Sequence, residues 1–336
     1  MRRLAMGGLC MAALAAPAQA QSVADFYKGK TITVVVGYAA GGGYDIYARA
    51  IARHMGKHLP GNPDFVIQNV TGAGSVNAAN TLYNVSPKDG TAFGTFGRGL
   101  AMEPLIGTAR VQYDATKFTW LGSGTNEVSL CATWHTSPVK TFADAQRIQF
   151  TVGGEGAGSD PDTFAMLVRN SFGAKIRLVT GYRGTSDIIL AIERGEVDGR
   201  CGWSWSSIKA TRPAWIPEKK LNYLVHMSET KAPELPDVPL ISEFANARQK
   251  QILRLVLSRQ TMGRPFAAPP GVPADRAQAL RRAFDATLKD PAFLAEAAKL
   301  KLDVNPVTGE EVDKLIAELY ATPKDVVAET RVAIKP

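Results

Sequence analysis

Along this chain, short β-branched runs alternate with stretches of helical period, and glycines stand at the junctions. Parallel strands need a crossover between them, and that crossover is usually a helix, so the order points to an α/β fold. Residues 30–38 (KTITVVVGY) read as a buried strand. After Gly41-Gly42-Gly43 a helix follows with the apolar stripe Tyr47, Ile51, Met55 and Leu59, stopped by Pro60-Gly61. Residues 64–69 and 91–96 read as further strands, and Gly72-Ala73-Gly74-Ser75 opens a helix carrying Val76, Ala79 and Tyr83. Together these make a βαβαβ half.

A second half begins near Glu127. It has strands at residues 147–153, 176–180 and 222–227, and helices over 161–172 and 187–194. Asp160-Pro161 reads as N-cap and first helical position. The proline-rich stretch 232–239 reads as a connector. Residues 260–267 return as a strand, and helices follow over 274–288, 291–300 and 309–320.

A chain of 336 residues with 45% hydrophobic and 21% charged content can bury more than one core, which excludes a disordered tail or a disulfide-dense miniprotein. Residues 1–20 read as an export leader: Arg2-Arg3, an apolar run, then Ala18-Gln19-Ala20, with cleavage before Gln21. Cys10 lies in a poor lipoprotein context. Losing Arg2 and Arg3 with the leader takes the net charge from +8 to +6, and no Lys/Arg block concentrates it. Such a diffuse excess favours small anions over nucleic acid. No later stretch is apolar enough to cross a membrane. Cys131 and Cys201 survive cleavage, and an oxidising compartment permits a disulfide, while two buried thiols fit the sequence equally well. His54 and His58 sit four apart without a third ligand, so no metal site and no cofactor are expected.

Three glycine turns, at 41–45, 72–75 and 154–159, each join a strand to a helix. Ligands of open α/β sheets bind at such places, because glycine lets an anion approach the unpaired N–H groups of the helix start. No phosphate loop, dinucleotide fingerprint or nucleophile elbow is present. Asp45 reads either as a helix cap or as a ligand contact, and Tyr44 is the better placed of the tyrosines flanking it. Arg98 and Arg183 read as carboxylate partners or solvated loop arginines. Trp203, in CGWSWSS, reads as a pocket wall or an ordinary half-buried strand residue.

The order of motifs is itself specific. It runs Gly42-Gly43-Tyr44-Asp45, PGNPDFVIQNVTGAGS (60–75), SPKDGTAFG (86–94), SPVKTFAD (137–144), GEGAGS, GYRGTSD, RGEVDG (194–199), PELPDVPLISE (233–243) and RPFAAPPGVPADR (264–276). Over nearly the whole mature chain this resembles the extracytoplasmic receptors of tripartite tricarboxylate transporters, the Bug family. The resemblance implies a type II-like, two-lobed periplasmic binding protein, each lobe a mixed, mainly parallel sheet flanked by helices. Residues 21–125 and 255–336 would form the first lobe and 126–254 the second. It implies a site from Ala40, Gly41, Gly43, Tyr44, Asp45, Gly72, Gly74 and Ser75 on the first lobe, with Gly156, Gly158, Ser159 and Thr185 on the second. Backbone N–H groups and ordered waters there would hold a solute carboxylate. It also implies a monomeric, non-enzymatic periplasmic receptor for a small organic carboxylate, working with membrane permease subunits. The chain departs from the family pattern at Tyr38-Ala39-Ala40, at Ser75 and in the Trp-Ser-Trp segment. Two alternatives stay open: a receptor coupled to a membrane sensor, and a periplasmic enzyme using Asp45 with His135.

Overall fold

The computed structural model describes residues 21–107 and 110–336; the leader, its cleavage point and Cys10 lie outside the described residues. Eleven strands form two mixed sheets among the described residues. The first contains β1 (Thr31–Val36), β2 (Asp64–Asn69), β3 (Ala92–Thr95), β4 (Thr119–Ser123), β10 (Pro265–Ala268) and β11 (Val307–Thr308). Its order is β11-β4-β10-β3-β1-β2. β1 pairs in parallel with β2 and β3, whereas β10 and β11 run antiparallel to their neighbours. The second sheet holds β5 (Ser129–Trp134), β6 (Phe150–Gly153), β7 (Ile176–Val179), β8 (Gly199–Ser204) and β9 (Leu221–His226), in the order β7-β6-β8-β5-β9. β6 is parallel to β7 and β8, and β5 is antiparallel to β8 and β9.

Each sheet is covered on both faces, as strands rich in Val and Ile require. Ile32, Val34 and Val36 of β1 face Tyr47, Ile51 and Met55 of the helix Gly43–Met55, while Val35 faces Val76, Ala79 and Leu82 of the helix Val76–Asn84. In the second lobe, Phe164, Leu167 and Val168 of the helix Asp160–Phe172 cover one face, and Ile188 and Ile192 of the helix Thr185–Glu193 cover the other. The chain passes between the two sheets twice, once between β4 and β5 and again through the short helix Ser258–Met262 before β10.

Several local details differ from the sequence reading. Ser159, not Asp160, is the N-cap, so Asp160 and Pro161 open the helix proper. The returning strand is shorter than residues 260–267, because its first part is the 3-10 turn Ser258–Met262. Strands β4, β5 and β8, and the helices Ala247–Leu257 and Lys324–Ala333, carry no strong sequence signal. The last of these packs Val326 and Val327 into the core of the second lobe, and Arg248 of that lobe holds Asp325 and Glu329 at 2.8 Å. The chain end therefore straps the lobe opposite to the one expected for it. Cys131 of β5 and Cys201 of β8 are joined as a disulfide. His54 and His58 turn to acids of a neighbouring segment, Glu296 at 2.7 Å and Asp290 at 3.1 Å.

His226 ends β9 with no solvent exposure. Its Nε2 accepts the Ala232 N–H at 3.2 Å and its Nδ1 lies 3.1 Å from the Val238 carbonyl, which defines a neutral ring protonated on Nδ1. Burial holds its pKa below the ordinary value of 6.5. The unfolded chain therefore takes up a proton that the folded ring refuses, and stability falls as the pH drops below about 6.5. Urea midpoints should decline from pH 7 to pH 5 in the wild type and decline less in His226→Gln; equal slopes would contradict this.

Candidate functional site

All three glycine turns lie on the seam between the lobes. The turn after β2 runs left-handed through four residues, with φ of 109° at Gly72, 49° at Ala73, 61° at Gly74 and 73° at Ser75. Two of these are not glycine, so the loop carries backbone strain. The Ser75 hydroxyl accepts the Gly97 N–H at 2.7 Å and secures it. Gly74 donates its N–H to the Glu155 carbonyl at 2.9 Å, directly across the seam. A β-carbon on Gly74 would sit 2.9 Å from the Gly156 carbonyl oxygen, and one on Gly156 would sit 2.8 Å from the Gly74 nitrogen. Only glycine permits this contact. Ala39 donates to the Arg183 carbonyl at 3.2 Å, and Ser186 reaches the Ala40 carbonyl. The lobes are closed on each other.

Two of the turns are filled by carboxylates of the chain itself. Asp45, 2% exposed, accepts from the Gly41 N–H at 2.9 Å, Arg49 Nε at 2.8 Å and Asn69 Nδ2 at 2.9 Å. Burial alone would raise its pKa; those hydrogen bonds outweigh it and hold the carboxyl below the usual range. Asp162 Oδ2 takes the N–H groups of Glu155 and Gly156 at 2.7 and 3.0 Å and the Ser159 hydroxyl at 2.8 Å. The amides expected to face a solute are thus spent on structure in the 154–159 turn, and in part in the 41–45 turn.

What faces the cleft instead is charge. A cavity of about 20 Å³, the room that about one water needs, is lined by Tyr38, Tyr44, Arg98, Glu155, Asp160 and Arg200 among others. Arg98 follows β3, is 2% exposed, and reaches across the seam. Its Nε donates to Asp160 Oδ2 at 2.7 Å and its Nη2 to the Ser129 hydroxyl at 2.7 Å. Asp160 also receives Arg259 at 3.2 Å from the second crossing. Burial pushes the Asp160 carboxyl upward, but Arg98 and Arg259 together bring it below its ordinary value. Arg264, fully buried before β10, binds Glu127 at 3.1 Å and the Ser206 and Ser207 hydroxyls at 2.9 Å, beneath the Tyr44 ring. Glu155 lies 2.9 Å from Arg200, whose other arm donates to Thr185 at 3.1 Å. Burial nevertheless raises the Glu155 carboxyl, and Asp162 and Asp160 add to the rise.

The structure therefore sorts the expected residues. Gly43, Tyr44, Arg98 and Thr185 border the cavity. Ala40, Gly41, Gly74 and Gly156 sit where the lobes touch, while Asp45, Gly72, Ser75 and Ser159 brace the turns from behind. Gly158 packs against Leu100 and Glu103. The Arg183 side chain is 70% exposed and pairs with Asp187. Trp203 is withdrawn from the cleft: it is wholly buried in the second-lobe core against Trp215. Sequence reasoning missed Tyr38, Glu155, Asp160, Arg200, Arg259 and Arg264. Charged residues at strand ends and glycine turns were the available signal, and it was followed only at Asp45, Arg98 and Arg183.

Two sheets joined by two crossings, with a polar cleft at the carboxyl ends of parallel strands, define a two-lobed periplasmic binding protein. The family model described as tripartite tricarboxylate transporter family receptor matches residues 47–332, and the chain belongs to that family, whose members are periplasmic receptors of the Bug type. A Cupriavidus necator protein described as "UPF0065 protein in gbd 5'region" is 25% identical, covering 95% of this chain and 92% of its own. The periplasmic binding protein BugD superposes with a TM-score of 0.73 at 19% identity, covering 91% of this chain and 98% of its own. MatC from Rhodopseudomonas palustris, solved with bound malate, does so with a TM-score of 0.70 at 22% identity, covering 89% and 99%.

Asp45 ties the turn after β1 to its helix and to the end of β2, and Asp45→Ala removes the acceptor of three part-buried hydrogen bonds, from Gly41, Arg49 and Asn69. A loss of about 2–4 kcal/mol in urea-unfolding stability is expected; an unchanged midpoint would show that Asp45 is no structural tie.

Proposed function

We propose that this protein is an extracytoplasmic receptor, exported through a leader cleaved before Gln21. It captures a small organic carboxylate between its lobes as a monomer and delivers it to the membrane permease of a tripartite transporter. The observation that carries this reading is Arg98, a guanidinium from one lobe that is desolvated against the other. A buried charge needs a counter-charge, which Asp160 supplies here at 2.7 Å and whose place a solute carboxylate can take where the two lobes meet. The malate held by MatC supports the same solute class. Closure then reports occupancy, since a solute that binds both lobes favours the state in which they touch. The carboxylate of Asp45 is engaged by its own lobe, which supports the receptor reading over the enzymatic alternative.

Small carboxylates should raise the melting temperature of the mature chain by mass action, about 2.7 kcal/mol of stabilisation at a hundred times Kd. A thermal-shift screen of mono-, di- and tricarboxylates beside their uncharged amides tests this. Shifts confined to carboxylates support the reading; a panel without any carboxylate shift overturns it.

A further inference from the structure

A groove of about 820 Å³ lies on the first lobe, apart from the solute cavity. One wall is β2; the other is the helix Gly43–Met55 with the turn Gly56–His58 that continues it. β2 is the last strand of its sheet, so one of its edges has no strand beside it among the described residues. Asp64 and Val70 donate their N–H groups to the Lys30 and Val36 carbonyls, on the β1 side. Backbone groups alternate in direction along a strand, so the N–H and C=O of Phe65 and Ile67 turn to the open edge. The side chains of Phe65 and Ile67 are only partly buried against the first-lobe core, and Val66 between them is 48% exposed.

The facing wall is basic. Arg49, Arg53 and Lys57 stand four apart on one stripe, and the groove lining sets a single acid, Asp64, against them. Each cation is ion-paired, Arg49 with Asp45, Arg53 with Glu296 and Lys57 with Asp290, but none of those acids lines the groove. The three cations are 41%, 50% and 49% exposed and their acids 2%, 27% and 8%, so solvent meets the positive end of every pair. The spacing also fits a strand. Residues four apart on a helix recur about every 6 Å, and alternate side chains of a strand about every 6.6–6.8 Å. Unpaired strand edges are usually blunted or covered, and an edge beside a charged wall suits strand addition, in which main-chain bonds hold the guest and flanking side chains select it.

We propose that this groove docks an extended, acidic segment of a partner protein, which joins the first sheet beside β2 as a further strand. The backbone of that segment pairs with the N–H and C=O groups of Phe65 and Ile67. Every second side chain of the guest faces the helix, so acids at alternate positions meet Arg49, Arg53 and Lys57, while the intervening apolar residues share the other face with Val66. A basic segment with the same backbone meets three like charges and one acid, which sets the direction of selectivity. The groove belongs to one lobe, so docking leaves the lobes free to move and does not depend on which solute they hold.

The test titrates three fluorescent seven-residue peptides against the mature chain: one alternating valine and glutamate, one alternating valine and lysine, and the glutamate peptide N-methylated throughout, which cannot pair with a strand edge. The plain glutamate peptide should bind at least tenfold tighter than either of the others. Arg53→Gln combined with Lys57→Gln should weaken it fivefold or more, and Val66→Glu, at an exposed position, should do the same if the double variant fails to fold. No binding by the glutamate peptide, or equal binding by the lysine peptide, overturns the proposal. Equal binding by the N-methylated peptide overturns strand addition, and an affinity unchanged in a folded variant removes the site from this groove. None of these outcomes bears on the carboxylate screen, so the receptor reading stands or falls separately.

Discussion

Closure of this molecule turns on a guanidinium that cannot be left alone. Arg98 is carried by the segment after β3 and is desolvated only when the second lobe covers it. A charge taken out of water without a partner costs several kcal/mol, so the covered state requires a carboxylate at that place. Asp160 provides one at 2.7 Å, with Arg259 behind it. The glycines matter to the same end. Without the bare backbone of Gly74 and Gly156 the walls would stay apart, and Arg98 would remain solvated.

Much of the scaffold was legible in residue order. The TITVVV run of β1 is buried on both faces and reads as nothing else, and the stripe Tyr47, Ile51, Met55 fixes the helix that covers it. The interior strands β4 and β8 were harder to read because glycine and a charged residue interrupt them: Gly122 in β4, and Arg200 and Gly202 in β8. Those interruptions have causes in the folded protein. Arg200 points at Glu155, and Gly202 passes the start of the helix Asp160–Phe172, where a β-carbon would lie 2.7 Å from the Asp160 backbone.

The site was half legible for a related reason. Glycine turns at strand ends show where a cleft will form, but not which groups satisfy their amides. Asp162 sits three residues beyond the third turn and takes its N–H groups, which no local pattern separates from an ordinary first-turn acid. Arg259 and Arg264 reach the seam from a segment far along the chain, 99 residues after Asp160 and 58 after Ser206, so only the fold brings them there. What sequence presents as an anion-binding backbone becomes, in three dimensions, a cleft with a cationic wall and an acidic wall.

A crystal structure of the mature protein with its solute bound tests that picture most directly. The account predicts the solute carboxylate on the Arg98 guanidinium at about 3 Å, a typical charged hydrogen-bond distance, with Asp160 retained by Arg259 and the lobes shut around the guest. A complex in which Arg98 still grips Asp160 while the solute sits elsewhere would contradict it.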